Sequence, residues 1–307
     1  MEPFISVVIP SHNRKQELER VLESLENQTY PDERYEIVVI DDSVPPIEVK
    51  ESPKVKYFHI APTGHTEARN IGVMRSRGEI ISFTDDDCLP EKEWLEKISS
   101  HFCNPSISGV EGKTITEKMG VNFHATENLK GGNYPTCNLS FRRHVLESMG
   151  GFDEKYGFFR EDTDLAFSVL ENGGKIIFAD NVVVFHPPRK IASHSPLREL
   201  KMIKSDIRLY KKFRRTYKNV IGMVGGGGVK TSGLVWMLSL LLVGGILFNL
   251  LMAVVAILLI VYVKHFAHLR NRTFDISGYV GYVAYSWLRD ILYPFYFTFY
   301  YLTEDGH

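Results

Sequence analysis

Cysteine is scarce in this sequence, with only Cys88, Cys103 and Cys137 in 307 residues, and no two of them form a CxxC pair. An odd, widely spaced set gives no disulfide framework and suits a reducing compartment. No basic stretch leads into a long apolar run at the amino terminus, MEPFISVVIP, so no secretory signal is read there. No GxGxxG loop follows the first apolar run, which argues against a nicotinamide-dependent dehydrogenase. GGGGVKTS at 225–232 has Val229 where a phosphate-binding loop needs glycine, and no strand precedes it. It reads as a flexible linker. Net charge is nearly absent as well, at -1, but this balance hides a strong asymmetry.

Between 197 and 218 the chain carries Arg198, Lys201, Lys204, Arg208, Lys211, Lys212, Arg214, Arg215 and Lys218 against only Glu199 and Asp206. Interleaved with them, Leu200, Ile203, Ile207, Tyr210, Phe213 and Tyr217 recur at three- and four-residue spacing. This predicts a basic amphipathic helix lying on an anionic membrane surface, and no nucleic-acid partner is expected. From Leu234 to Val263 no residue is charged, a run longer than the roughly 20 residues that span a bilayer as a helix. Either one tilted helix or a hairpin turning near Gly244-Gly245 and Asn249 would fit. A second basic cluster, Lys264 to Arg272, favours the hairpin, and both clusters put residues 1–230 in the cytoplasm. The aromatic-rich segment Gly278 to Leu302, with Arg289-Asp290 at its middle, either crosses the membrane or lies at its interface. The expected division is therefore 1–190 as a catalytic domain, 191–230 as a juxtamembrane segment and 231–307 as a membrane region.

The first 190 residues alternate apolar runs with helical patterns. Ile5–Ile9, Ile37–Ile40, Tyr57–Ile60 and Ile80–Phe83 read as strands. SHNRKQELERVLESLENQ places Leu18, Val21, Leu22 and Leu25 on one helical face. Further helices are expected over Glu67–Arg77, capped by Gly78, and over Glu91–Phe102. Continuous rather than alternating apolar runs predict a mostly parallel, Rossmann-like α/β sheet covered by helices. Ligands then bind at the carboxyl ends of the strands, where Ser11-His12-Asn13-Arg14, Asp41-Asp42-Ser43 and Asp85-Asp86-Asp87 lie.

Three adjacent carboxylates repel one another unless a cation neutralises them, and hard ions such as Mn²⁺ and Mg²⁺ take oxygen ligands together with substrate phosphates. On an extended chain Asp85 and Asp87 project to one side and Asp86 to the other. The outer pair therefore suits a metal-diphosphate and its ribose, with Asp86 bracing the loop on the donor side. Cys88 has no local base and reads as a packed thiol. Val110 to Met149 should form the acceptor side, with a loop at 130–135 and with Cys137 and Asn138 lining the acceptor pocket.

SVVIPSHNR, VVIDDS, ARNIGVMRSRGEIISFTDDDCLP, CNLSFRR and GFDEKYGFFREDTDLAFSVLENG, in that order, resemble the family 2 glycosyltransferases of GT-A fold over residues 4 to 190. The resemblance implies transfer of a sugar from a nucleotide-diphosphate sugar to a saccharide or lipid-linked acceptor at the cell membrane. By residue, it implies donor binding by Ser11, His12, Asn13, Asp41, Arg69, Asp85 and Asp86. It implies a metal, Mn²⁺ or Mg²⁺, on Asp85 and Asp87. His186 either joins that metal site or simply orients the chain where Pro187-Pro188 leave the domain. Asp162 matches the general base of an inverting displacement, and Glu161 is expected to contact the acceptor. A polyprenyl-phosphate sugar synthase and a nucleotidyltransferase on a similar sheet are the alternatives, although SHNRKQELER offers no glycine for the latter's diphosphate loop.

Overall fold

The computed structural model describes residues 2–50, 52–117, 123–157, 159–190, 196–222, 227–248, 250–264 and 276–305. Its first elements follow the apolar runs: β1 (Ile5–Ser11), α1 (Lys15–Glu26), β2 (Tyr35–Asp41), β3 (Val55–His59), α2 (His65–Arg75), β4 (Ile80–Phe83), β5 (Leu89–Pro90) and α3 (Trp94–Phe102). Next come β6 (Gly109–Ile115), β7 (Phe123–His124), β8 (Leu139–Arg142), α4 (Arg143–Met149), α5 (Glu161–Glu171), β9 (Ile176–Phe185) and β10 (Arg189–Lys190). The chain divides into two units, residues 1–116 with 125–187, and residues 117–124 with 188–307.

The first unit holds one eight-stranded sheet in the order β3-β2-β1-β4-β8-β6-β9-β5. β3, β2, β1 and β4 run parallel, and every residue of β1, β2 and β4 is buried, which is why their sequences are continuous rather than alternating. α1 covers this half with Leu18, Val21, Leu22 and Leu25, the face expected from their spacing. The other half is mixed. β8 runs antiparallel to both β4 and β6, β6 and β9 are parallel, and β5 is an antiparallel edge. No α-helix lies between β6 and β8 among the described residues, and parallel neighbours need such a crossover, so the chain returns antiparallel there.

Gly78 does not cap α2 as expected. The helix stops at Arg75, where the Ser76 hydroxyl donates to the carbonyl of Gly72 at 2.6 Å. Gly78 is required instead because β1 passes so close: a Cβ there would lie 2.5 Å from the Ser6 nitrogen and 2.7 Å from the Ile80 oxygen.

The second unit contains α6 (Pro196–Lys212), α7 (Arg214–Val220), α8 (Gly227–Phe248), α9 (Leu250–Lys264) and α10 (Ile276–Thr303), with β7 and β10 as a two-stranded antiparallel pair. The apolar stripe of α6 differs from its expected place on headgroups. Leu200, Ile203 and Ile207 are buried against Tyr293 of α10, with Leu292, Tyr296, Phe297 and Tyr300 around them. Its cations meet the far end of α10: Arg208 pairs with Glu304 at 2.6 Å, and Lys211 donates to the carbonyls of Tyr301 and Glu304. A helix C-terminus attracts such groups. The glycine-rich stretch read as a linker enters α8 at Gly227, and 223–226 lie outside the described residues. The uncharged run becomes two helices, α8 and α9, which pack on each other with Val235, Leu238, Ala253, Ala256 and Ile260 buried. Among the described residues no helix is long and apolar enough to cross a membrane, so the span expected over 234–263 finds no support there. Asn249, where a turn was expected, and the basic cluster beyond Lys264 lie outside the described residues.

Candidate active site

The strand ends of the parallel half converge as the topology requires. β1 delivers Ser11 to Arg14, β2 delivers Asp41 and Asp42, β4 runs out into Asp85, Asp86 and Asp87, and α2 and α5 begin at His65 and Glu161. The three aspartates take three different positions. Asp86 turns back into the fold, accepting from the Ser11 hydroxyl at 3.0 Å and from Arg14 Nη1 at 2.8 Å. Burial, opposed by Arg14 and reinforced by Asp87 and Asp85, pushes its carboxyl up to about 6. The same Arg14 nitrogen reaches Asp87 at 2.8 Å. Asp85 accepts from Arg69 Nη2 at 3.1 Å; burial alone would raise its proton affinity, but Arg69 and His186 outweigh that and hold it below the usual carboxylate value.

Asp85, Asp87, Cys88 and His186 each offer one ligand atom, all within 4.8 Å of one another. His186, just beyond β9, has Nε2 3.8 Å from Asp87 Oδ1 while its Nδ1 lies 3.1 Å from the Pro187 carbonyl. Two carboxylates and an imidazole form a donor set that fits a hard or borderline divalent ion. The fourth donor, the Cys88 thiol, is fully buried 3.7 Å from Asp87 Oδ1, and without a metal burial drives its proton affinity well above the ordinary value.

Across from Asp85, Arg69 is buried and forked: Nη1 donates to Glu161 Oε1 at 3.0 Å while Nη2 holds Asp85. His65 Nε2 reaches the same Glu161 oxygen at 3.1 Å. Asp162, one residue on, accepts from the backbone and hydroxyl of Thr163, both at Oδ1. Burial, with the Glu161 charge beside it, raises its carboxyl to about 7. Adjacent acids in α5 thus differ sharply in proton affinity, since Glu161 is held low by His65 and Arg69 against its own burial.

Several residues expected at this site do other work. Asp41 is fully buried, and its oxygens accept from Ser43, the Ile47 nitrogen and the Tyr57 hydroxyl, so it braces the β2 loop. Asp42 is the one joined to the exposed His12, at 2.7 Å, and it also receives the Gly64 nitrogen. Asn13 donates its backbone N–H to Ser43 and sits next to the His12 ring. Asn138 is 1% exposed and spends its amide on Trp94, Lys113 and Val182, so it stitches β6 to β9 and cannot face an acceptor. Cys137 is equally buried, with Thr114 3.7 Å from its sulfur. The 130–135 loop is pinned rather than loose: buried Glu111 of β6 accepts from the backbones of Gly132, Asn133 and Tyr134 and from Asn128. The sequence reading does not reach His65 or Glu111. His65 follows the β3 end, where the same strand-end rule applies, and Glu111 betrays itself as a lone acid between Val110 and Gly112 in a strand.

The Glycosyl transferase family 2 model matches residues 6–152, and the Glycosyl transferase family group 2 model matches residues 104–301, well over half of the chain. The chain belongs to the family 2 glycosyltransferases. Glycosyltransferase AglE of Haloferax volcanii is 29% identical to this glycosyltransferase over 207 residues, covering 61% of this chain and 68% of that protein. The pre-mycofactocin glycosyltransferase of Mycobacterium tuberculosis is 26% identical over 209 residues, and the match spans 43% of its length. Among solved structures, the mannosyltransferase PcManGT from Pyrobaculum calidifontis, in complex with GDP-Man and Mn²⁺, aligns over 98% of this chain and 86% of its own. Its TM-score is 0.56 at 16% identity, a likeness of fold.

Proposed function

We propose that this glycosyltransferase moves a sugar from a nucleotide-diphosphate sugar to an acceptor hydroxyl with inversion, with Asp162 as the general base. The observation that carries this reading is the pair of neighbouring carboxylates at the head of α5, one held ionised and the other raised to about 7. A base poised near the working pH is what deprotonation of a hydroxyl needs. As the acceptor oxygen bonds to the anomeric carbon, Asp162 takes its proton and the bond to the diphosphate breaks, the leaving oxygen keeping the electron pair. Asp85, Asp87 and His186 would hold the metal. A divalent ion there supplies charge neutralisation for the departing diphosphate. The imidazole beside two carboxylates favours Mn²⁺ over Mg²⁺. Exposed His12, paired with buried Asp42 at the β1 and β2 ends, suits the nucleoside side of the donor.

The reading extends to the cytoplasmic face of a membrane and to synthesis of a surface polysaccharide or glycolipid. What supports it is the number of large apolar side chains exposed on α8, α9 and α10, among them Leu240, Val243, Leu258, Phe295, Phe299 and Leu302. Such exposed apolar side chains suit an acceptor carried on a lipid. Co-sedimentation with anionic vesicles tests this part; a protein that stays in the supernatant refutes it. For the chemistry, the protein is incubated with a panel of nucleotide-sugars and Mn²⁺ or Mg²⁺, and release of nucleoside diphosphate is measured. Asp162→Asn should abolish transfer while donor binding persists, and retained transfer removes Asp162 as the base.

A further inference from the structure

We propose that Cys88 is a fourth ligand of the metal site, its sulfur joining Asp85, Asp87 and His186 on an ion of the Zn²⁺ or Co²⁺ class. This rests on the reading of those three residues as the metal site. The sequence alone presents Cys88 as a packed thiol, because no neighbour in the chain marks it out. The fold changes its company.

Asp87 is the pivot. Arg14 holds its Oδ2 at 2.8 Å, and its other oxygen, Oδ1, faces the cluster. The buried Cys88 sulfur lies 3.7 Å from Oδ1 and Nε2 of the buried His186 lies 3.8 Å from it. Bonds of about 2.1 Å to oxygen and about 2.3 Å to sulfur, spread at a tetrahedral angle, set those two atoms roughly 3.6 Å apart; oxygen and imidazole nitrogen come to roughly 3.4 Å. Both measured separations lie within about half an ångström of these edges. The His186 ring supplies an independent sign. Its Nδ1 lies 3.1 Å from the Pro187 carbonyl, and a carbonyl only accepts, so in the neutral ring Nδ1 carries the proton and Nε2 presents a lone pair to the cluster. At 3.8 Å, Nε2 is beyond hydrogen-bond reach of Asp87. A backbone tie on the far nitrogen is the arrangement that orients a metal-ligating histidine.

When the sulfur takes the ion its proton leaves to solvent, since a coordinating thiol is deprotonated outright. Two carboxylates and a thiolate exceed a divalent charge by one, and Arg14 on Asp87 and Arg69 on Asp85 offset the excess. Zinc prefers four ligands, so four side chains close its shell, whereas a six-coordinate ion such as Mn²⁺ keeps positions for a diphosphate.

The test titrates the metal-free protein with Co²⁺. The near-ultraviolet sulfur-to-cobalt charge-transfer band reports a thiolate ligand, and the visible ligand-field bands report Co²⁺ bound by any ligands. Wild type should show both. Cys88→Ser should keep the ligand-field bands, lose the charge-transfer band and bind Co²⁺ about tenfold or more weakly, since even outer-shell partners are worth that much. Wild-type ligand-field bands without charge transfer, or a charge-transfer band surviving in Cys88→Ser, overturn the inference. Should Cys88→Ser fail to fold, the double variant Cys103→Ser with Cys137→Ser leaves Cys88 as the chain's one thiol; the band should persist there, and its loss overturns the inference. A wild type that binds no Co²⁺ at all refutes the metal-site reading and the inference with it, a different result from bound Co²⁺ without sulfur.

Discussion

Replacing Glu111 by Gln should damage the protein far more than the loss of one charge suggests. The carboxylate is 2% exposed and accepts four N–H groups: Asn128 Nδ2 at 2.9 Å, Asn133 at 3.0 Å and Tyr134 at 2.7 Å on Oε1, and Gly132 at 2.8 Å on Oε2. A glutamine has only one acceptor oxygen. Whichever way its amide turns, an NH₂ confronts at least one backbone N–H, and the remaining bonds lose their charge assistance. Losing one buried bond and weakening three adds to about 3–5 kcal/mol. For a unit of this size that lowers Tm by roughly 6–20 °C. Thermal unfolding followed by circular dichroism reads the magnitude, and hydrogen exchange at the Gly132, Asn133 and Tyr134 amides reads the location. A Tm within about 2 °C of wild type, with those amides still protected, would refute the reasoning.

Three other outcomes follow from the same structure. Because the Asp162 carboxyl is raised to about 7, ionising it costs the folded state as pH rises from ~4 through that value; Asp162→Asn should therefore be more stable than wild type at pH 8, with the gain gone by pH 4, in denaturant melts at each pH. Asp87→Asn should weaken Mn²⁺ binding by roughly tenfold or more, read from the EPR signal of free Mn²⁺, and unchanged binding would remove Asp87 from the metal site. Ile207→Asp puts a charge at a fully buried position against α10 and should destabilise that helix pair by about 3 kcal/mol or more, seen as faster proteolysis within α10.

In the parallel half β1, β2 and β4 were legible because each is buried on both faces and is written in apolar, mostly β-branched residues. The strand-end rule likewise named Ser11 to Arg14, Asp41 to Ser43 and the three aspartates, but the donor-binding expectation fell on buried Asp41 and not on Asp42, the partner of His12. The mixed half was not legible, because β6, β8 and β9 find each other across long sequence separations that local pattern does not encode. The same limit explains Asn138: a polar residue before an apolar run looks like a pocket lining until Trp94, Lys113 and Val182 close around it. It also explains α6, whose stripe has the right period for a bilayer or a neighbouring helix alike. Only the presence of α10 decides between them. Glu161 was read as facing the acceptor because sequence gives the order of two acids but not which one a distant arginine will claim.

The pairing of α6 with α10 bears on how the sheet unit can be isolated for crystallography or assay. A truncation placed after α6, at the apparent boundary near residue 230, would strip α10 away and leave Leu200, Ile203 and Ile207 facing water on a highly basic helix. Such a fragment is a candidate for aggregation and for adventitious binding to anything acidic in an expression host. Ending the chain between Pro187 and Pro196 removes the sticky face with its partner, and its cost is the short β7–β10 ladder when the cut precedes Arg189.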